Sequence, residues 1–190
     1  MCEPAFTEWG KMLYHEEGAI LGKTQHEWKT ESRIELGVST DKPIIVVGHQ
    51  PTFFHPGILA KFIAADRLAS EVNGEVIFLV VDHHKGLDGT IETPNGDVEC
   101  TSLQSDVPMR LQPRVDIVRS YPPFTTVLQE AIGENSAIQY ANAISSLLSS
   151  FAHIHRIVMA SDLVQTTFGK SIIKAMRSSN GESQNAYNTA

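Results

Sequence analysis

The chain has 190 residues, 42% of them hydrophobic, and a formal charge of −7 at pH 7. That size and apolar content suit one ordinary globular domain with a real core. The acidic balance comes without any basic cluster, which argues against a binder of the nucleic-acid backbone. No apolar run approaches the roughly 18–20 residues of a membrane-spanning helix. The acidic start, Met1 to Glu8, has no apolar secretory core. Cys2 and Cys100 fit neither a zinc pattern nor a disulfide framework, so a cytoplasmic setting is expected and Cys2 reads as an idle thiol.

Pro4 to Glu17 reads as a short helix, with Phe6, Trp9, Met12 and Leu13 on one face. Gly18 to Lys42 reads as polar loop with a weak strand near Ile34-Glu35-Leu36. Residues 1–42 are therefore expected to be an N-terminal extension. Ile44 to Val47 is short, β-branched and apolar throughout, the pattern of a buried strand. A helix is expected from about Gly57 to Asn73, with Ile58, Phe62, Ala65, Ala69 and Val72 as its apolar stripe, closed by Asn73-Gly74. Val76 to Val81 is the next buried strand. Strand, helix and strand with short links form a parallel βαβ unit.

Thr90 to Thr101 carries a hairpin signal, with Asn95-Gly96 at its turn. Gln104 to Phe124 holds four prolines and reads as an excursion over the surface. A helix over Ser136–Phe151 and a strand over Arg156–Ala160 follow. Ser161-Asp162 has the composition of an N-cap for a last helix, Leu163 to Arg177. The polar stretch 178–190 reads as a disordered tail. Residues 43–177 then form one α/β domain with three parallel strands. Typical sheets have about five or six strands, so the domain is expected to be incomplete, the front part of a longer one.

Two strand ends carry the candidate chemistry. The first is Gly48-His49-Gln50-Pro51, with His55 just before a helix start; the second is Asp82-His83-His84. Parallel neighbours bring both to one sheet edge, where open α/β sheets bind ligands. Imidazoles near a helix N-terminus suit a developing negative charge on a phosphate or carboxylate. His49 and His55 are thus candidates for charge stabilisation, and Asp82 and His83 for orientation. Gly48, Gln50, Pro51, His84, Ser161 and Asp162 are expected to line the ligand. The plain alternatives are a tight turn whose histidines only satisfy backbone groups, a polar loop with exposed histidines, and simple N-capping at 161–162. His153 and His155 lie at the opposite edge and read as structural, and Lys61 as a solvated helix residue.

The stretch VVGHQPTFFHPGILAKFIAADRLA, followed by VIFLVVDHH and later by RIVMASDLVQTTFGKSIIKAM, resembles the bacillithiol-biosynthesis cysteine-adding enzymes. The resemblance runs in order from about Pro43 to Met176. Gly48, His49, Gln50 and Pro51 match that family's first turn, and Asp82 and His83 its second. The resemblance implies a Rossmann-like, three-layer α/β/α core with a short parallel sheet, here with a β-hairpin excursion. It also implies ligase- or transferase-like chemistry that joins cysteine to a glucosaminyl malate. The His-Gln-Pro-Thr-Phe-Phe run is also similar to the WbqC-like sugar-biosynthesis proteins.

Two other readings stay open. Asp82-His83-His84 is similar to the triplet of DHH-type phosphoesterases, which use two divalent metals, although Asp41 and Asp66 do not supply their upstream acids. The chain also reads as a truncated, non-catalytic binding module. The expected partner is a small nucleotide, sugar or amino-acid substrate, with neither nucleic acid nor membrane. A nucleotide cofactor and a homodimer are left open, and a divalent metal enters only with the phosphoesterase reading.

Overall fold

The computed structural model describes residues 8, 9, 11, 18–52, 56–85, 90–104, 106–122 and 124–178. The chain divides into two compact units, one of residues 42–160 and one of 1–41 with 161–190. The helix expected over Pro4–Glu17, apart from three residues, and the tail beyond Ser178 lie outside the described residues.

The first described elements correct the loop expected over Gly18–Lys42. Strands β1 (Ala19–Ile20) and β2 (Lys23–Thr24) pair antiparallel and lead into helix α1 (Gln25–Leu36). Thr24 caps α1 with a capping box: its side chain accepts from Glu27 N, and Glu27 accepts from Thr24 N at 2.7 Å. Gly37 closes the helix in the left-handed region at φ 61°. Only Trp28 of α1 is buried, so the stripe is too polar for hydrophobic periodicity to reveal. The signal that finds this helix is Thr-x-x-Glu followed eventually by Gly.

The expected strands and helices form in the 42–160 unit, with an added helix over Phe124–Glu130, but Ile44–Val47 is not buried throughout: as the outer strand of its sheet it has Val47 buried and Val46 54% exposed. Strand β3 (Ile44–His49) leads to helix α2 (Pro56–Val72) and strand β4 (Glu75–Val80). The hairpin β5 (Thr90–Thr93) and β6 (Gly96–Glu99) is antiparallel, with Gly96 at φ 105°. Helices α3 (Phe124–Glu130) and α4 (Ser136–Leu148) precede strand β7 (Arg156–Met159). The order β3-β4-β7 is parallel throughout, giving a mixed α/β structure. Pro56 opens α2, where its missing N–H costs nothing, and Asn73 ends it at φ 52°. Phe62, Ala65 and Ala69 of α2 pack with Val76, Phe78 and Val80 of β4 and with Ala141, Ile144 and Leu148 of α4. Phe62 meets Phe78 edge-on, with ring centroids 5.2 Å apart.

The expected surface excursion is mostly exposed but sends Met109, Val115 and Phe124 into a second core. Cys100, Leu103, Met109, Val115, Phe124 and Leu128 are buried with Ala137, Tyr140 and Ala143 of α4. Two buried glutamines supply the hydrogen bonds that a sheet would otherwise give to this irregular chain. Gln112 Oε1 accepts from Gln104 N, and Gln112 Nε2 donates to the carbonyls of Gln104 and Val107, all at 2.8 Å. Gln139 Oε1 accepts from Val115 N at 2.8 Å while Nε2 donates to Leu128 O at 2.9 Å. Burial pushes the Tyr140 phenol up to about 12, although its bond to Thr101 works the other way.

At the opposite edge, His155 fastens the start of β7 to the start of β4. His155 N donates to Val76 O and Val76 N donates to His155 Nδ1, both at 3.0 Å. The second bond requires Nδ1 without a proton. Partial desolvation and the His153 ring, 4.4 Å away, lower the His155 pKa from its ordinary 6.5; Lys42 adds to this, while Glu75 and Asp66 oppose it. The unfolded chain therefore binds this proton more readily than the folded one. This contribution to stability is complete above about pH 6.5 and is lost as pH falls from there through the lower folded value. Asn places its amide oxygen close to where Nδ1 sits and does not titrate. His155→Asn is expected to flatten the fall in urea midpoint between about pH 7.5 and pH 5; an unchanged slope would remove His155 from this role.

Beyond β7 the chain turns directly into α5 (Ala160–Gln165) and, after Thr166, α6 (Thr167–Ser178). One helix was expected, with Ser161-Asp162 as its cap. Both residues instead lie inside the first turn of α5. The break comes at Thr166, whose Oγ1 accepts from Gly169 N at 3.0 Å and donates to Leu163 O. Gly169 permits the close approach: a Cβ there would stand 2.3 Å from Leu163 O. In the same unit, Thr167 donates to the Glu35 carboxylate through its N–H and its hydroxyl. No helix among the described residues is long and apolar enough to cross a membrane.

Candidate functional site

Parallel pairing in register brings two of the expected motifs together. Ile44 stands opposite Glu75, and the ladder runs on to His49 opposite Val80. One further bond, Val81 N to His49 O at 2.9 Å, carries the pairing past the strand ends. Gly48-His49-Gln50 and Asp82-His83-His84 therefore emerge side by side at the carboxyl edge of β3 and β4.

The first turn is built on one carbonyl. Gln50 O accepts from Thr52 N and from His49 Nδ1, each at 2.9 Å. A carbonyl only accepts, so Nδ1 carries the proton. In the neutral ring Nε2 is then the basic nitrogen. Pro51 is fully buried and anchors the turn, while His49 and Gln50 are half-buried. Gly48 is exposed, and a Cβ there would meet nothing within 4 Å. It lies within β3 and adopts no positive φ, so the chain makes no turn there. What the glycine leaves is open space beside His49. His55 lies outside the described residues.

The second turn divides its three side chains, as alternation demands. Asp82 is 1% exposed, His83 is exposed and His84 is half-buried. The segment that follows β6 holds this turn in place. Met109 N donates to His84 O at 2.9 Å and Arg110 N to Asp82 O at 3.0 Å, and Lys85 bridges Pro108. Met109 is itself fully buried, and its carbonyl accepts from Ser136 Oγ at 2.7 Å at the start of α4. This arrangement adds Arg110, an exposed cation, to the same loop cluster. Sequence reasoning missed it because nothing in Pro108-Met109-Arg110 signals a return to Asp82, 28 residues upstream.

Ser161 and Asp162 follow β7 but belong to the other compact unit. The Asp162 carbonyl accepts from Thr166 N at 3.2 Å. Among the described residues, no three His, Cys, Asp or Glu side chains group as metal ligands would. The edge thus offers one imidazole of fixed tautomer, one exposed imidazole, one arginine and open backbone at a glycine. That set can bind and orient a small anionic or polar group. The chain matches no family model, and neither a curated protein nor a solved structure is similar to it.

Proposed function

We propose that residues 42–160 form a Rossmann-like core that binds a small nucleotide, sugar or amino-acid ligand at the His49/His83 edge, in a cytoplasmic protein resembling the cysteine-adding bacillithiol ligases. The observation that carries this is the in-register pairing of β3 and β4, which sets both polar turns at the edge where α/β sheets take ligands. His49, its ring oriented by the bond from Nδ1 to Gln50 O, supplies an imidazole at this edge to hydrogen-bond the ligand. His83 orients the ligand from the adjacent turn, and the buried Asp82 acts from within that turn. Catalysis in this reading joins an amine to a carboxyl or phosphoryl group.

The test is calorimetric titration with glucosaminyl malate. Saturable binding is expected, and His49→Ala and His83→Ala should each weaken it by roughly ten- to a hundredfold, the usual effect of losing one hydrogen bond to a charged group. Gly48→Ala, which fills the open space, should also weaken binding. All three variants should keep the wild-type unfolding midpoint. Unchanged binding in the two histidine variants would sink the site, and absence of binding would sink this substrate class.

A further inference from the structure

The parallel sheet has three strands with β4 at its centre, so β3 and β7 are its outer strands. β7 blunts its own edge: it is four residues long, opens on the exposed Arg156 and passes directly into α5. β3 has none of these devices. From Ile44 to Gln50 the chain carries no Asp, Glu, Lys, Arg or Pro. The pairing with β4 runs one to one from Ile44 to His49, without a bulge.

The backbone groups of this outer edge follow from the ladder. Pro43 O accepts from Glu75 N, and His49 O accepts from Val81 N. Alternate residues of a parallel strand turn to the same neighbour. Pro43, Ile45, Val47 and His49 therefore face β4, and the N–H and C=O of Ile44, Val46 and Gly48 point outward. Among the described residues none of these outward groups has a backbone partner. Val46 is 54% exposed, and Gly48 is exposed as well. The row ends at Gln50, whose carbonyl already accepts from Thr52 N and His49 Nδ1. An open strand edge of this kind is a template for another strand.

We propose that two copies of this chain pair through β3, antiparallel about a twofold axis at Val46, into one continuous sheet. The outward row is symmetric about Val46. Antiparallel pairing sets Val46 against Val46 of the second copy and Ile44 against its Gly48, which satisfies every outward group on both strands. Any other register leaves some of them unpaired. The strand also carries no formal charge in a chain of charge −7, so two copies meet here without like charges opposed. Closure about the twofold consumes the edge, so pairing stops at two copies. The joined sheet reaches the usual number of about five or six strands. This inference is independent of any ligand at the strand ends.

The experiment combines sedimentation velocity of the full chain with amide exchange, each from about 1 μM to about 500 μM. A monomer–dimer equilibrium is expected. The amides of Ile44, Val46 and Gly48 should gain protection as the dimer fills, whereas those of Ile45, Val47 and His49, held by β4, should be protected throughout. Val46→Lys sets two like charges together at the axis and should weaken the dimer by about tenfold or more. Val46→Thr keeps a β-branched residue and should change it by less than about threefold. Both variants should keep the unfolding midpoint of the dilute wild-type chain; if Val46→Lys does not, the alternating exchange pattern of the wild type decides alone. A chain that stays monomeric at about 500 μM overturns the proposal. So does a dimer whose three outward amides stay unprotected, since its interface then lies elsewhere. Protection of those amides in the dilute monomer overturns it too, because a segment of the same chain then covers the edge. Assemblies larger than a dimer that Val46→Lys abolishes would replace twofold closure with open-ended pairing, and overturn it as well.

Discussion

Replacing Gln139 by Leu should destabilise the 42–160 unit by roughly 2–5 kcal/mol, because each buried backbone group left unpaired costs about 1–3 kcal/mol. The side chain is 1% exposed, and it serves Val115 N and Leu128 O at once. Leucine fills the same space and pairs with neither group. Nearby Gln129→Leu is the control: its side chain is exposed, and the change should stay within about 0.5 kcal/mol. Urea unfolding gives the global effect. Amide exchange at Val115 gives the local one, since that N–H is the group Gln139 holds. A Gln139→Leu protein as stable as the control, with Val115 still protected, would show that the second core does not depend on this amide.

That second core marks the boundary of what the sequence makes legible. Parallel strands announce themselves, because Ile44-Ile45-Val46-Val47 and Val76 to Val81 are β-branched or apolar at every position; their burial does not, since only Val47 of the outer strand β3 is buried. The stripe of α2 does the same through its period. Residues 100–124 hide their burial because polar chain links the apolar residues, and its hydrogen bonds are made by glutamines far along the chain. Gln112 lies eight residues from Gln104, and Gln139 lies 24 from Val115. Helix α1 hides for a different reason: its order rests on capping and on one tryptophan, so periodicity is silent where Thr24 and Glu27 are informative. The candidate site was legible to the extent that it is local. Two polar turns after two parallel strands must share an edge. The tautomer of His49 and the arrival of Arg110 depend on partners that only the folded chain supplies. Ser161 and Asp162 followed a strand end in the same way, and there the N-cap expectation failed because the helix begins at Ala160 and Thr166 supplies the later cap.

Phe62→Ala and Phe78→Ala should each lower stability by roughly 3–5 kcal/mol, the range for deleting a buried phenylalanine. Both rings are 0% exposed, and they meet edge-on at an interplanar angle of 89°. Such a pair adds about 0.5–1.5 kcal/mol beyond its buried area, so the double variant should lose less than the two single losses combined. A whole domain commonly has about 5–15 kcal/mol in hand, which leaves each single variant folded in water but unfolding in much less urea. The consequence for the site is a separation of effects. Phe78 stands opposite Val47, two residues before the His49–Val80 pair, so the core sets the ladder while the polar turns sit beyond it. In the folded fraction, Phe62→Ala should bind glucosaminyl malate with wild-type affinity, and His49→Ala should keep wild-type stability while losing affinity. Loss of affinity in a fully folded Phe62→Ala protein would mean that the strand ends are not a preformed site and that the ligand is held by groups that move with the core.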